Sequence, residues 1–317
     1  VPSDPPRVIA VVVAFRSAVF LGDCVGALRA AGVDVVVVDN NDDDGDKAAI
    51  AAITTASGGH VESVTTGRNL GFGAACNVGA ARALTRGAEV LWFVNPDTVA
   101  RPDAARTLVA GMAAEGFALA SPLLTTGGPG HESVWFAGGT FDLRTGRARH
   151  DLLGTRVADA PRESRECTFL NGAALAVTRE AWESLGGFAE DYFLYWEDSD
   201  LSVRATRSGL RLGVVPAAVV WHAEGASSVG DDPGRSALGY FYYSRNRLVL
   251  ARRLGRLPRW AAGPGLILTL KPIGAALLTE RVGRWRKVAA ALRGTWDGLR
   301  GRTGADRVSG RGPEAAL

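Results

Sequence analysis

The sequence predicts a doubly wound, mostly parallel α/β sheet with a basic helical extension behind it, and three observations carry that reading. Strand-like apolar runs alternate with helix signals through the first hundred residues. The run Val8–Ala14 is continuous rather than alternating, the mark of a strand buried on both faces, and Val33–Val38 reads as a second buried strand. Beyond about residue 235 the pattern turns helical and basic. In such a sheet ligands bind outside the carboxyl ends of the strands, so function is sought in the residues that follow each strand.

The elements follow in order. A helix over Val19–Ala31 ends at Gly32, and the second strand ends in Asp39-Asn40-Asn41 and an acidic turn through Asp46. Lys47–Ala56 reads as helix, Val61–Val64 as strand, Gly71–Leu84 as helix and Glu89–Val94 as strand. Pro102 suits the first position of a helix running to about Ala114. Phe117–Ser121 is a strand, and alternation over Val134–Phe141 suggests a hairpin within the Gly-, Thr- and Arg-rich residues 125–165. Thr168–Val177 reads as one strand, with Thr178 capping a helix that stops at Gly186-Gly187. Glu197–Ser208 is helical, and Pro216 breaks two late strands, Leu212–Val215 and Ala217–Trp221.

Composition bounds the function. At 317 residues, 47% hydrophobic and 22% charged, the chain is globular rather than disordered, with room for a large domain and an extension. Cys24, Cys76 and Cys167 are far apart and form no C-x-x-C pair, which argues against a zinc site or disulfide framework and fits a reducing compartment. The short polar start, Val1 to Arg7, shows no signal peptide. The net charge of +3 hides an asymmetry, because from Tyr240 onward sixteen Lys and Arg face four Asp and Glu. Such a block marks an anionic partner or a solvated helical face.

Residues 187–200 bring an aromatic run to three acids, Glu197, Asp198 and Asp200, at a helix start. Half-buried acids are costly unless paired, metal-bound or used chemically. Asp200 has ion-pair spacing to Arg204, leaving Asp198 as the better base candidate. Capping alone would also account for the three. Asn95-Pro96-Asp97-Thr98, past a buried strand, can hold a divalent cation or serve as a plain turn. Gly67-Arg68-Asn69-Leu70-Gly71-Phe72-Gly73 offers helix amides and a fixed cation to an anion. It is a poor dinucleotide fingerprint, because Cys76 stands at the last glycine position and the first strand runs into Phe15-Arg16-Ser17 without glycine. Asp39 can accept hydrogen bonds from a pyrimidine imide or a ribose hydroxyl, or belong to an acidic turn. His222 alone is more often structural than a metal ligand.

Taken in order, Val-Val-Val-Ala-Phe-Arg-Ser, Val-Val-Asp-Asn-Asn, Gly-Arg-Asn-Leu-Gly-Phe-Gly, Asn-Pro-Asp-Thr, Asn-Gly-Ala, Gly-Gly-Phe, Tyr-Trp-Glu-Asp-Ser-Asp-Leu and Trp-His resemble family 2 glycosyltransferases of the GT-A fold. Tyr242-Tyr243-Ser244-Arg245-Asn246-Arg247 is similar to the rhamnosyltransferase-type branch. The resemblance implies a catalytic domain over residues 7–228, with a Rossmann-like nucleotide half to residue 98 and an acceptor half from 99, and a basic helical region over 235–310. It implies an inverting transfer from a dTDP- or UDP-sugar to an acceptor hydroxyl. In it Asp198 is the general base, with Trp196 and Glu197 on the acceptor side. Phe15, Arg16, Asp39, Arg68, Asn69 and Asn95 line the nucleotide, and Asp97 with His222 holds Mg²⁺ or Mn²⁺. This chain has Asn95 where the family's D-x-D-type motif has its first acid, and Asp42 where Ser or Thr usually follows Asp39. The acceptor is a saccharide, a lipid-linked sugar or a natural product, and no nucleic acid is expected. A cytoplasmic protein follows. Its C-terminal region, too interrupted to span a bilayer, suits the inner membrane surface or a homodimer interface. A sugar nucleotidyltransferase would need a glycine-rich first loop, and a processive synthase a Gln-x-x-Arg-Trp motif with membrane spans. A non-catalytic nucleotide-sugar-binding or scaffold protein stays open.

Overall fold

Val8–Ala14 forms β1, and its unbroken valine and alanine run lies buried in the middle of the sheet. The computed structural model describes residues 6–128, 130–223 and 235–306. Strand and helix then alternate as α1 (Ala18–Ala30), β2 (Asp34–Asp39), α2 (Lys47–Ala56), β3 (Val61–Thr65), α3 (Phe72–Thr85) and β4 (Val90–Val94). β1 pairs in parallel with β2 and β4, and β2 with β3, so these four strands end on one edge. Gly79 lets α3 lie close on that sheet, since a Cβ there would strike the Val11 and Val38 side chains.

The second half adds β5 (Thr98–Ala100), α4 (Ala104–Glu115), β6 (Leu119–Thr126), β7 (Ser133–Phe136), β8 (Gly139–Asp142) and β9 (Arg147–His150). β10 (Arg165–Cys167), β11 (Ala174–Thr178), α5 (Arg179–Leu185), α6 (Glu197–Arg207) and β12 (Leu212–His222) complete it. The order across the sheet is β10-β12-β6-β11-β4-β1-β2-β3, with β5 on β12 and β7 on β6, while β8 and β9 form a separate hairpin. β11 runs antiparallel to both β4 and β6, which joins the two halves without a gap.

Three sequence expectations are corrected. Pro102 precedes the helix cap, Asp103, rather than opening α4. The apolar run Thr168–Val177 is not one strand, because Asn171 Oδ1 accepts the Ala173 N–H at 2.8 Å and turns the chain before β11. Pro216 does not break β12. The pairing with β6 shifts between Val215 and Val219, and that irregularity accommodates a residue with no N–H to donate.

The C-terminal helices are α7 (Ala237–Arg253), α8 (Leu257–Ala261), α9 (Leu266–Leu278) and α10 (Arg284–Leu299). Val249, Leu250 and Ala251 of α7 share a buried cluster with Tyr192, Trp196 and Trp260. Close approach of α10 to α7 requires Gly294 and Gly298, where a Cβ would meet the Phe241 and Arg245 carbonyls. The proposed limits at residues 228 and 310 lie outside the described residues. Among those described, no helix is long and apolar enough to cross a membrane. All three cysteines are buried and free, and burial pushes the Cys24 thiol up to about 12, away from reactivity.

Candidate active site

The ends of β1, β2 and β3 build one wall of a cleft. Arg16, at φ 51°, follows Phe15 out of β1, and its guanidinium lies 5.4 Å from the Phe15 ring centre. This exit is held from the acidic turn. Asn41 Oδ1 accepts the Arg16 N–H at 2.8 Å, and Asp46 accepts the Ser17 and Ala18 N–H groups at 2.9 Å each. Asp46 thus satisfies the open amides of the α1 start, as a cap would. Asp39 is buried; its Oδ1 takes both donors of Asn41, at 3.2 and 2.9 Å. Asn69 Oδ1 accepts from Asn40 Nδ2 at 3.1 Å and from the Gly71 N–H at 2.9 Å, fixing the turn into α3. Arg68, on the same turn, is exposed and makes no ion pair among the described residues. Phe15, Arg16, Asp39, Arg68 and Asn69 therefore share the carboxyl edge of the parallel strands.

Asp97 and His222 meet through strand register. β5 leaves the Asn95–Asp97 turn and pairs antiparallel with β12, setting Thr98 opposite His222. His222 Nε2 then lies 3.3 Å from Asp97 Oδ1, with both side chains buried. The His222 Nδ1 has no hydrogen-bond partner among the described residues, and its ring packs edge-on against Trp135, 4.3 Å between centroids. A carboxylate and an imidazole side by side at two strand ends suit a divalent cation that keeps open positions for phosphate oxygens. No cluster of three or more His, Cys, Asp or Glu joins them among the described residues.

The acidic segment is delivered by a turn of unusual backbone. Phe193, Tyr195 and Trp196 have φ of 67°, 66° and 78°, a conformation that costs roughly 1–3 kcal/mol at each non-glycine residue. Asn246 of α7 holds it, its Nδ2 donating to the carbonyls of Tyr192, Leu194 and Tyr195 at 2.8, 2.7 and 3.0 Å. Arg245 adds a 2.9 Å bond to the Tyr192 carbonyl. On the other side Phe72 N–H donates to the Phe193 carbonyl at 2.8 Å, an approach that Gly71 permits because a Cβ there would collide with that oxygen.

The three acids emerge in three environments. Asp200 pairs with Arg204 at 2.7 Å, the expected spacing, and also accepts the Tyr192 hydroxyl at 3.1 Å. Glu197 is buried against α3, and burial together with the Asp198 charge pushes its carboxyl up to about 8. Burial and the neighbouring charge thus both favour the protonated form of Glu197, and the two carboxyls titrate as a pair. Burial raises Asp198 too, but the Ser199 N–H at 2.6 Å and the Gly172 N–H at 3.3 Å stabilise its charged form. The loop that supplies Gly172 also ties down the opposite wall, since the Ala173 carbonyl accepts the Asn95 N–H at 2.9 Å. Asp198 and the Asn95–Asp97 turn are thus braced by adjacent residues.

Two groups here carry no sequence motif. His150, at the end of β9, lies close enough to Asp198 to favour its charge. Its ring sits among Trp135, Phe136 and Phe169, so Trp135 stands between His150 and His222. The alternation over residues 134–141 signals the hairpin but not this aromatic junction.

The family model described as "Glycosyltransferase like family 2" matches residues 5–232. An N-acetylglucosaminyl-diphospho-decaprenol L-rhamnosyltransferase of Mycobacterium tuberculosis is 38% identical over 107 residues, 33% of this chain and 34% of that protein. The match thus spans about a third of that relative's length. A dTDP-rhamnosyl transferase, RfbF, of Shigella flexneri is 24% identical over 253 residues, 78% of this chain and 82% of its own. Among solved structures, GalNAc-T7 with UDP, GalNAc and Mn²⁺ superposes with a TM-score of 0.60 at 16% identity, covering 94% of this chain and 56% of that one.

Proposed function

Because this chain belongs to glycosyltransferase family 2 and has the GT-A fold, we propose that it is an inverting glycosyltransferase moving a sugar from a dTDP- or UDP-sugar to an acceptor hydroxyl. The observation that carries the reading is the brace from Gly172 and Ala173, which ties the Asp198 carboxylate and the Asn95–Asp97 turn to adjacent residues of one loop. The rhamnosyl relatives favour a dTDP-sugar, preferably dTDP-rhamnose.

In this mechanism the nucleotide lies along Phe15, Arg16, Asp39, Arg68 and Asn69, with Asn95 at the diphosphate end. Asp198 accepts the proton of the acceptor hydroxyl as that oxygen attacks the anomeric carbon; the carbon–oxygen bond to the nucleoside diphosphate breaks on the opposite face. Trp196 and Glu197 shape the acceptor side. Asp97 and His222 would hold Mg²⁺ or Mn²⁺, which when bound offsets charge growing on the leaving diphosphate. In a panel of nucleotide sugars, the protein with divalent metal should hydrolyse one donor slowly and transfer it when an acceptor is supplied. Asp97→Ala should weaken donor binding and turnover at least tenfold, without rescue by added metal. Full turnover in EDTA would overturn the metal role, and donor binding without any turnover would leave a binding protein.

The C-terminal surface bears on location. Trp285, Leu292, Trp296 and Leu299 form one exposed stripe along α10, with Arg281, Arg284 and Arg286 at its start. Apolar residues with aromatic anchors and flanking arginines suit the headgroup region of an anionic bilayer. The protein would then work peripherally from the cytoplasmic face. Trp285→Ser with Trp296→Ser should abolish flotation with phosphatidylglycerol vesicles. A dimer in light scattering that the same pair of substitutions splits would assign the stripe to a homodimer instead.

A further inference from the structure

Resting on that glycosyltransferase reading, we propose that the acceptor is a sugar carried on a lipid diphosphate, the sugar supplying the attacking hydroxyl, the diphosphate held in a basic pocket beside Trp196 and the hydrocarbon tail laid along α9. The pocket, about 230 Å³, lies between β9 and the helices α7 and α9. Arg147, Arg149, Arg247 and Lys271 line it, and no acidic side chain does. Arg147, Arg149 and Lys271 form no ion pair among the described residues.

Arg247 is the telling member. It is 2% exposed, and its hydrogen bonds go to Thr269 Oγ1 and to the backbone carbonyls of Thr145, Trp260 and Gly265. No carboxylate neutralises it among the described residues, and its Nε has no partner. Burial pulls this guanidinium down to about 10. A buried cation without a counter-charge is costly, and an anion in the pocket would offset that cost. Trp196, also buried, lines the pocket beside it. One buried guanidinium and three surface cations without an ion pair among the described residues suit an oxygen-rich dianion better than a neutral sugar.

The apolar part follows from continuity. Lys271 belongs both to this pocket and to a groove on the outer side of α9 lined by Ile267, Leu270, Gly274 and Leu278. Ile267, Leu270 and Leu278 are 78%, 51% and 80% exposed, a run of greasy surface that begins at a cation. At the other end the pocket reaches His150 and Trp196, next to Asp198. A ligand filling both has its attacking hydroxyl at the base, its diphosphate at the arginines and its tail on the helix.

Farnesyl diphosphate is the probe, titrated into the full chain by calorimetry in EDTA with saturating dTDP, so that the nucleotide site and any metal-dependent diphosphate binding are removed. Farnesyl diphosphate should bind at least tenfold more tightly than inorganic pyrophosphate. Arg149→Ala with Lys271→Ala, both exposed positions, should weaken both ligands tenfold or more. Leu270→Asp should weaken farnesyl diphosphate alone. Equal affinity for the two ligands, or farnesyl diphosphate binding indifferent to all three substitutions, overturns the inference. Failure of the underlying reading shows separately, as wild-type protein that binds no nucleotide sugar.

Discussion

Asp198→Asn lowers turnover by about 10²–10⁴-fold while nucleotide-sugar affinity stays within a few-fold, because the side chain acts on the acceptor proton and not on the donor. The amide keeps the size of the carboxylate but cannot accept a proton. It also cannot receive N–H groups on both ends as Asp198 does from Ser199 and Gly172, so a melting temperature lower by a few degrees is expected as well. Glu197→Gln is the comparison. Burial and the Asp198 charge favour the protonated form of Glu197, which an amide mimics, so turnover should fall less than tenfold. Single-turnover kinetics on both variants separates the roles. A fully active Asp198→Asn, or an inactive Glu197→Gln, would exchange or abolish the assignment.

Asn246→Ala destabilises the protein by about 3 kcal/mol or more and removes activity from the fraction that stays folded. The side chain has no solvent exposure, and its removal strips partners from three carbonyls on a turn already in strained conformation. Asn246→Asp, nearly isosteric, should be no better, because an acceptor would then face the Tyr192, Leu194 and Tyr195 oxygens. Urea unfolding measures the stability loss, and turnover normalised to folded protein measures the misplacement of Asp198. A change below 0.5 kcal/mol would mean that the turn is held by its own packing.

Much of the parallel half was legible in the sequence because fully buried strands announce themselves: Val8–Ala14 and residues 35–38 have nothing polar to place on either face. Local turn chemistry was less legible. The apolar character of residues 168–177 concealed the Asn171 turn, and Pro216 looked like a break because the compensating shift against β6 is a pairing property. The approach of Asp97 to His222 depends on β5 meeting β12, 125 residues apart, which no local pattern reveals. His150 is the extreme case. Nothing beside it in sequence marks it, and only the hairpin fold and the aromatic rings around it bring it to Asp198. Asp46 was hidden differently, as one acid among several in a turn, distinguished only by the amides of Ser17 and Ala18.

The grip of Asn246 on the Tyr192–Tyr195 carbonyls spans 51 to 54 positions of chain. Every strand of the sheet, β12 included, precedes that side chain in the chain and is synthesised before it. The residue that sets the acidic turn is thus supplied last, by a helix outside the sheet. A chain ending near residue 228 would keep every strand of the sheet yet lack the side chain that holds the Tyr192, Leu194 and Tyr195 carbonyls.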